Sequence, residues 1–358
     1  MSIKATAMVF TATDQPFANK QISLKDIDSN EVLVRIVYTT ICTSDLHTYT
    51  GKRSSPTPCV LGHEIIGEIT TLGKKIKSDY NGQLLKVGDL VTWCVYAYDD
   101  KSKMAKKGIP QKSDGLYKYG HHKFDSEDGL NGGFATHCIL KKGSTIFKLP
   151  DFLNYKQAAP LNCTHATIAG AIRLARYLTN KNVMITGAGM LGLSACAMAK
   201  EGGAKNVFAM DINKERLDLA KKFGANKLID GKLSADEIKT LIPKEKIDVI
   251  IDTTGIAAVM EKGLELLAIG GRAIWIGAVY TQPPTQINAE MIVRNLITIK
   301  GLHNYTPNDL GFAVDFIAEN HSKYPFEILV SKEFPLNELS NAFEEAKTGK
   351  HYRIGVKQ

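Results

Sequence analysis

Nothing in this chain is built to sit in a membrane or to be stapled for secretion. No apolar run reaches the roughly 18–20 residues that a spanning helix needs. The opening Met1–Lys4 leads into no apolar signal core. Cysteine is sparse, six in 358 residues at irregular spacing, which excludes a dense disulfide framework and leaves thiols free for metal in a reducing compartment. Internal repeats and low-complexity segments are lacking. The formal charge of +8 comes with no zinc finger, basic helix or RNA-binding motif, so nucleic acid is not an expected partner. That charge fits a solvated lysine-rich surface, or the steering of an anionic substrate or cofactor. The expectation is a cytoplasmic protein.

What is present divides the chain in two. Length and an apolar fraction of 44% allow two domains, each with its own core. The first 150 or so residues read as short strands and loops, with strand-like runs at Glu31–Val37, Ile65–Thr70 and Phe134–Leu140. After that the pattern changes. Strands at Val183–Thr186, Val207–Met210, Ile247–Ile251, Arg272–Ile276 and Ile297–Gly301 alternate with helical stretches at 191–201, 214–223 and 257–268, the signature of a doubly wound parallel sheet. A further helix at 309–319 and the strand-like Tyr352–Val356 are expected to return to the first domain. The spans are therefore 1–152 with 303–358 for a β-rich domain and 153–302 for a nucleotide-binding one, an α/β protein overall.

Gly187, Gly189 and Gly192 fit the spacing G-x-G-x-x-G. The run follows a strand and opens a helix, and Asp211 ends the next strand, 19 residues after Gly192. Glycines there let backbone approach a pyrophosphate whose charge sits at the helix N-terminus, while the acid accepts hydrogen bonds from ribose hydroxyls. A carboxylate repels a 2′-phosphate, so NAD is favoured over NADP, with Lys214 and Arg216 nearby weakening that preference.

A catalytic zinc takes three protein ligands and keeps one position open, and two thiolates with one imidazole make such a set. Cys42, His63 and Cys163 are the expected ligands. Each alone reads as a small buried thiol or a turn histidine. In a chain that also carries a nicotinamide fingerprint they point to metal-assisted hydride transfer. Cys59, Cys94, Cys138 and Cys196 read as structural.

Cys42-Thr43-Ser44-Asp45, Gly62-His63-Glu64, Gly88-Asp89, Cys163 with Thr167, the glycine fingerprint and Arg353 together resemble the zinc-dependent medium-chain alcohol dehydrogenases over nearly the whole length. The resemblance implies a GroES-like catalytic domain and an inserted Rossmann domain, in a homodimer or homotetramer. It implies that Glu64 sits beside the metal as an exchangeable ligand, and that Asp45 orients His63 through its free ring nitrogen. Ser44 would contact the substrate hydroxyl and His47 would end a proton relay. Thr167 would pack beside the nicotinamide and Arg353 would approach the cofactor phosphates. Met190, Leu191, Arg216, Thr253 and Gly277 complete the expected cofactor contacts.

One departure stands out. Many relatives carry a structural zinc on a four-cysteine lobe, but here Asp99, Ser102, Ala105 and Ser113 occupy those positions, so one catalytic zinc and no structural zinc is expected. Lys107–Lys112, Lys118–His121, Leu161–Cys163 and Gly301–Tyr305 look like a subgroup associated with phosphonate catabolism. The stretch 101–123 holds seven lysines and two histidines, which suits an anionic alcohol or equally an exposed loop. A polyol or amino-alcohol dehydrogenase of the sorbitol or threonine type is the alternative. A zinc-free quinone reductase-like or non-catalytic relative is disfavoured by the three ligands. Trp93, Tyr96, His121 and His303 are the candidate pocket walls.

Overall fold

A computed structural model describes residues 4–125, 128–242 and 246–358. Among them no helix is long and apolar enough to cross a membrane. The chain divides into two units. One takes in the chain up to Cys163 with Thr306–His321 and Phe326–Gln358; the other is Thr164–Tyr305 with Ser322–Pro325. The stretch 153–163 lies with the first unit because buried Asn162 ties it there. Its amide Nδ2 donates to Trp93 O at 3.0 Å and its Oδ1 accepts the Ile65 N–H at 3.3 Å.

The first unit is built on an eight-stranded sheet. Its path runs Val330–Pro335, Arg353–Lys357, Val32–Ile41, Glu64–Leu72, Leu90–Ala97, Tyr117–Lys118. His137–Leu140 also pairs with Val32–Ile41, and Ser144–Lys148 with Leu90–Ala97. Val32–Ile41 is the hub: its β-branched residues suit a pleated surface, and nearly all of them are buried. It pairs antiparallel with Glu64–Leu72, and with Arg353–Lys357 in a register that sets Ile354 opposite Ile41. A smaller sheet orders Ala18–Ser23, Lys4–Phe10 and Cys59–Val60.

The strand expected at Phe134–Leu140 is shorter, His137–Leu140. Phe134 is spent on a bend instead. Its N–H donates to Leu61 O at 3.0 Å, and that of Gly133 to Gly62 O at 2.7 Å. Phe17 gathers the core, its ring centroid 4.8 Å from Phe343, 5.5 Å from Tyr49 and 6.4 Å from Phe134. Tyr49 closes the short helix Thr43–Tyr49. A seven-residue helix is too short to hold alone; burying that aromatic ring, about 1.5–3 kcal/mol, pins the helix that begins immediately after Cys42.

The second unit is a six-stranded parallel sheet. Its order is Lys227–Asp230, Asn206–Asp211, Asn182–Thr186, Ile247–Asp252, Leu267–Trp275, Thr298–Gly301. Numbered within the unit this is 3-2-1-4-5-6, the dinucleotide-binding order that reverses between strands one and four. Strand Lys227–Asp230 and helix Ala235–Leu241 escaped the sequence reading. The strand is four residues with one buried side chain, so it gives no apolar run. The helix carried a readable signal, Ser234 with Glu237 in a capping box.

Candidate metal and cofactor sites

Three chain segments deliver the sulfurs and the imidazole to one place in the first unit. Cys42 is the N-cap of Thr43–Tyr49, just past the end of the hub strand. His63 precedes Glu64–Leu72 and follows Gly62, which turns at φ +89° and where a Cβ would lie only 3.1 Å from Gly133 Cα, so a side chain there is strained. Cys163 lies on the π-turn Leu161–His165. The ligand atoms of Cys42, His63 and Cys163 all lie within 4.8 Å of one another, and the two sulfurs are 4.0 Å apart.

Asp45 organises this corner. Fully buried, its Oδ2 accepts the Cys42 N–H at 3.0 Å, and its Oδ1 accepts the Gly62 N–H at 3.2 Å and sits 3.2 Å from His63 Nδ1. With Nδ1 engaged, His63 presents Nε2, which lies 3.3 Å from Ser44 Oγ. The resulting donor set fits a soft divalent cation. Cys42 is held well below the usual thiol range, first by its hydrogen bond with Cys163 and then by Arg353 and His63, while Cys163 is pushed up by Cys42 and by burial. Two such neighbouring thiols both ionise only against added positive charge, which a metal supplies. His63 is raised well above its usual range: burial opposes this, but the Asp45 carboxylate outweighs it.

Glu64 is not one of this close trio of ligand atoms and is hydrogen-bonded elsewhere. Its Oε2 accepts from Thr40 Oγ1 and from Arg353 Nε (2.7 Å), and its Oε1 accepts from Arg353 Nη2 at 2.8 Å. Arg353, also buried, reaches Cys42 Sγ through Nη2 at 3.5 Å. The guanidinium expected near cofactor phosphates is thus committed to Glu64 and a ligand sulfur. The sheet register puts it there. His47 is half-buried on the ligand helix, and its imidazole is lowered by burial first and then by Lys52. Trp93 and Tyr96 are fully buried, whereas the ring of His121 lies 5.4 Å from that of His63. Cys59, Cys94, Cys138 and Cys196 are buried; burial pushes the Cys59 thiol up to about 11 and Cys196 to about 12. In the lobe, Ser102 Oγ and Ser113 Oγ share a 2.7 Å hydrogen bond, and Ser102 caps Lys103–Lys106.

In the second unit the glycines do what their spacing asks. Gly187 turns at φ +89°, Gly189 is the N-cap of Met190–Glu201, and a Cβ on Gly192 would lie 1.8 Å from Gly187 O. Met190 is buried and Leu191 half-buried at the start of that helix. Asp211 is drawn onto the turn: Oδ2 accepts the Ala188 N–H at 2.6 Å, and Oδ1 the Asn213 N–H at 2.9 Å. Thr253 Oγ1 donates to Thr186 O at 2.9 Å, closing the ends of strands one and four, and Gly277 is packed too tightly against Gly255 to carry a side chain. Arg216 and Thr167 are half-buried, the first in Lys214–Lys222 and the second in Ala166–Ala175.

The sequence reading missed Asn162, Thr40 and Asp252. Asp252, buried at the strand reversal, accepts from Thr186 Oγ1 (2.5 Å), Gly255 N–H (2.8 Å) and Thr254 Oγ1 (2.9 Å). Burial nonetheless pushes its carboxyl up. Only an acid ending an apolar strand marked it.

Comparison with known proteins agrees with this architecture. Residues 28–151 match the model of the alcohol dehydrogenase GroES-like domain, and residues 191–319 that of zinc-binding dehydrogenases. The chain is 29% identical to a sorbitol dehydrogenase of Halalkalibacterium halodurans, with 91% of each chain covered. It is 27% identical to a D-arabitol-phosphate dehydrogenase of Enterococcus avium, covering 94% of this chain and 92% of that one. A crystal structure of an alcohol dehydrogenase from Thermotoga maritima superposes with a TM-score of 0.93 at 28% identity, over 99% of both chains. On these matches and this fold, the chain belongs to the zinc-dependent medium-chain alcohol dehydrogenases and is an oxidoreductase of that family.

Proposed function

We propose that this protein transfers a hydride between a small alcohol and NAD, with one zinc held by Cys42, His63 and Cys163. The observation that carries the reading is the convergence of those three donors within 4.8 Å, with Asp45 fixing the imidazole that joins two thiols. Zinc held there supplies a Lewis acid for the substrate oxygen, and NAD supplies the hydride acceptor. The chain's own residues do the rest. Asp45 keeps the proton on His63 Nδ1 and so leaves Nε2 as a donor atom. Ser44 Oγ, beside that nitrogen, accepts the proton of the substrate hydroxyl as it gives up its own toward the cofactor ribose, and the His47 imidazole receives the proton on the way to solvent. Arg353 neutralises Glu64 and steadies the Cys42 thiolate. The glycine turn with Thr167, Thr253 and Gly277 holds the dinucleotide, with Asp211 on the ribose; its charge favours NAD over NADP.

An anionic or phosphonate-bearing alcohol is the substrate class we favour. The exposed lysines of 101–123 and the similarity to a dehydrogenase named for a phosphorylated polyol support it. A neutral polyol or amino alcohol is the second reading, favoured by the sorbitol dehydrogenase relative. The working unit is proposed to be a cytoplasmic homodimer or homotetramer. Serine and aspartate in the lobe leave it without a structural zinc.

Metal analysis and NADH absorbance test the proposal. About one zinc per chain is expected, with NADH formed from at least one alcohol, and both are lost in Cys42→Ala and His63→Ala while far-ultraviolet circular dichroism is kept. Parental turnover in a variant that has lost its zinc refutes it.

A further inference from the structure

We infer that Arg53 and His121 form a recognition subsite, beside the metal ligands, for an anionic group carried by the alcohol. The inference rests on the reading of the metal site as the place where the alcohol binds.

His121 is delivered to the face of His63 by backbone. Gly120 turns at φ +74°, and a Cβ on it would come within 2.5 Å of Gly62 O. This chain segment therefore lies directly on the turn that presents His63. The next side chain, His121, packs against the ligand imidazole, with ring centroids 5.4 Å apart and planes tilted by 34°. Its Nδ1 is buried and has no hydrogen-bond partner among the described residues. Buried polar atoms are almost always satisfied. An orphan nitrogen beside a set of metal donors marks a place where a ligand atom completes the bond.

Arg53 is anchored beside the same corner by its backbone. Its N–H donates to His47 O at 2.9 Å, just past the helix whose N-cap is Cys42. The residue is half-buried, and its charge is felt by both His47 and His121. No carboxylate among the described residues pairs with Arg53, with Lys52 beside it in the chain, or with Lys118, whose charge also reaches His121. Asp45 is already spent on His63 and Glu64 on Arg353. The chain thus places an uncompensated guanidinium and an unsatisfied imidazole nitrogen around one metal-binding corner. A planar guanidinium fork takes two oxygens of a carboxylate, phosphate or phosphonate, and His121, in its Nδ1–H tautomer, donates to a third or shared oxygen. A neutral polyol would leave the guanidinium charge unanswered.

The test uses the zinc-loaded full chain and NAD. Rates with sn-glycerol 3-phosphate and 3-hydroxypropanoate are compared with 1,2-propanediol, and the quantity read is the ratio of kcat/KM for anionic over neutral alcohol. Because both kinds of alcohol use one metal site, partial loss of metal or active protein does not move this ratio. Arg53→Ala is expected to lower it by about tenfold or more, mainly through KM for the anionic alcohol, as loss of a charge-assisted pair does. Arg53→Lys recovers part of the loss, and His121→Ala lowers the ratio while His121→Asn restores some of it. Raising salt weakens the parent's preference and leaves that of Arg53→Ala nearly flat. A ratio unchanged in both alanine variants overturns the inference. If the parent reduces NAD with none of these alcohols, the oxidoreductase reading of this site fails on its own. The subsite is then judged by calorimetric titration with sn-glycerol 3-phosphate. Binding about tenfold weaker in Arg53→Ala supports it, and equal binding overturns it.

Discussion

Arg353 grips Glu64 with two parallel hydrogen bonds, Nε to Oε2 at 2.7 Å and Nη2 to Oε1 at 2.8 Å, and both side chains are buried. The same Nη2 lies 3.5 Å from Cys42 Sγ. The ion pair is thus a wall of the metal site and a strut between the last strand and the second strand of the sheet. A buried pair broken on one side leaves its partner's charge stranded. Arg353→Met is expected to cost about 3–5 kcal/mol in urea denaturation, and adding Glu64→Gln should recover more than half. A single-variant loss below about 1 kcal/mol, the range of exposed pairs, would mean that water reaches the pair.

Asp45 is predicted to govern metal affinity without touching metal. Asparagine keeps an acceptor for one backbone N–H but no longer stabilises a proton on His63 Nδ1. Asp45→Asn should weaken zinc binding by about 10–100-fold in chelator competition, with secondary structure retained. Unchanged affinity would show that the backbone alone fixes the His63 ring.

If His47 ends the proposed proton path, the acid limb of kcat/KM is expected to follow its titration. Burial, then Lys52, lowers its imidazole from the ordinary value, with the Cys42 thiolate pulling the other way. A lowered value keeps the ring neutral, and so able to accept a proton, to more acid pH than a free histidine with a pKa of about 6.5. The limb should lie below that pH in the parent and move up toward it in Lys52→Gln, because a cation that disfavours imidazolium has been removed. A limb that does not respond to Lys52→Gln takes His47 out of the proton path.

Asp211 holds backbone at the glycine turn in addition to its proposed role on the cofactor ribose. Both its oxygens hold turn amides, at 2.6 and 2.9 Å. Asp211→Ala should raise KM for NAD by about tenfold, equivalent to about 1.4 kcal/mol, and shift the NADP-to-NAD preference toward NADP. It should also lower thermal stability, since the Ala188 and Asn213 N–H groups lose their acceptor. A changed preference with no change in stability would assign the residue to the ribose alone.

The parts of this protein legible in its sequence are those whose chemistry is local. Glycines at 187, 189 and 192 are read from spacing because a tight turn and a close helix approach involve neighbours in the chain. The cysteines and histidine are read from type, because few other side chains bind a soft cation. The alternation of strand and helix after residue 180 gave the doubly wound unit, whereas Lys227–Asp230 passed unseen because four residues with exposed ends carry no periodicity.

What each ligand leans on is a different matter. The family resemblance places Arg353 near the cofactor phosphates, and nothing in the stretch around it names another partner. Its partner is settled by the antiparallel register that sets Ile354 against Ile41 and so lays Arg353 beside Cys42, 311 residues away in the chain. Asn162, Thr40 and His121 acquire their places in the same way, through sheet pairing and a glycine that lets one turn rest on another. Composition and spacing determine which atoms are able to bind a metal and a dinucleotide. Only the folded sheet decides which charges face them, because hydrogen-bond register over hundreds of residues leaves no mark in any short stretch of sequence.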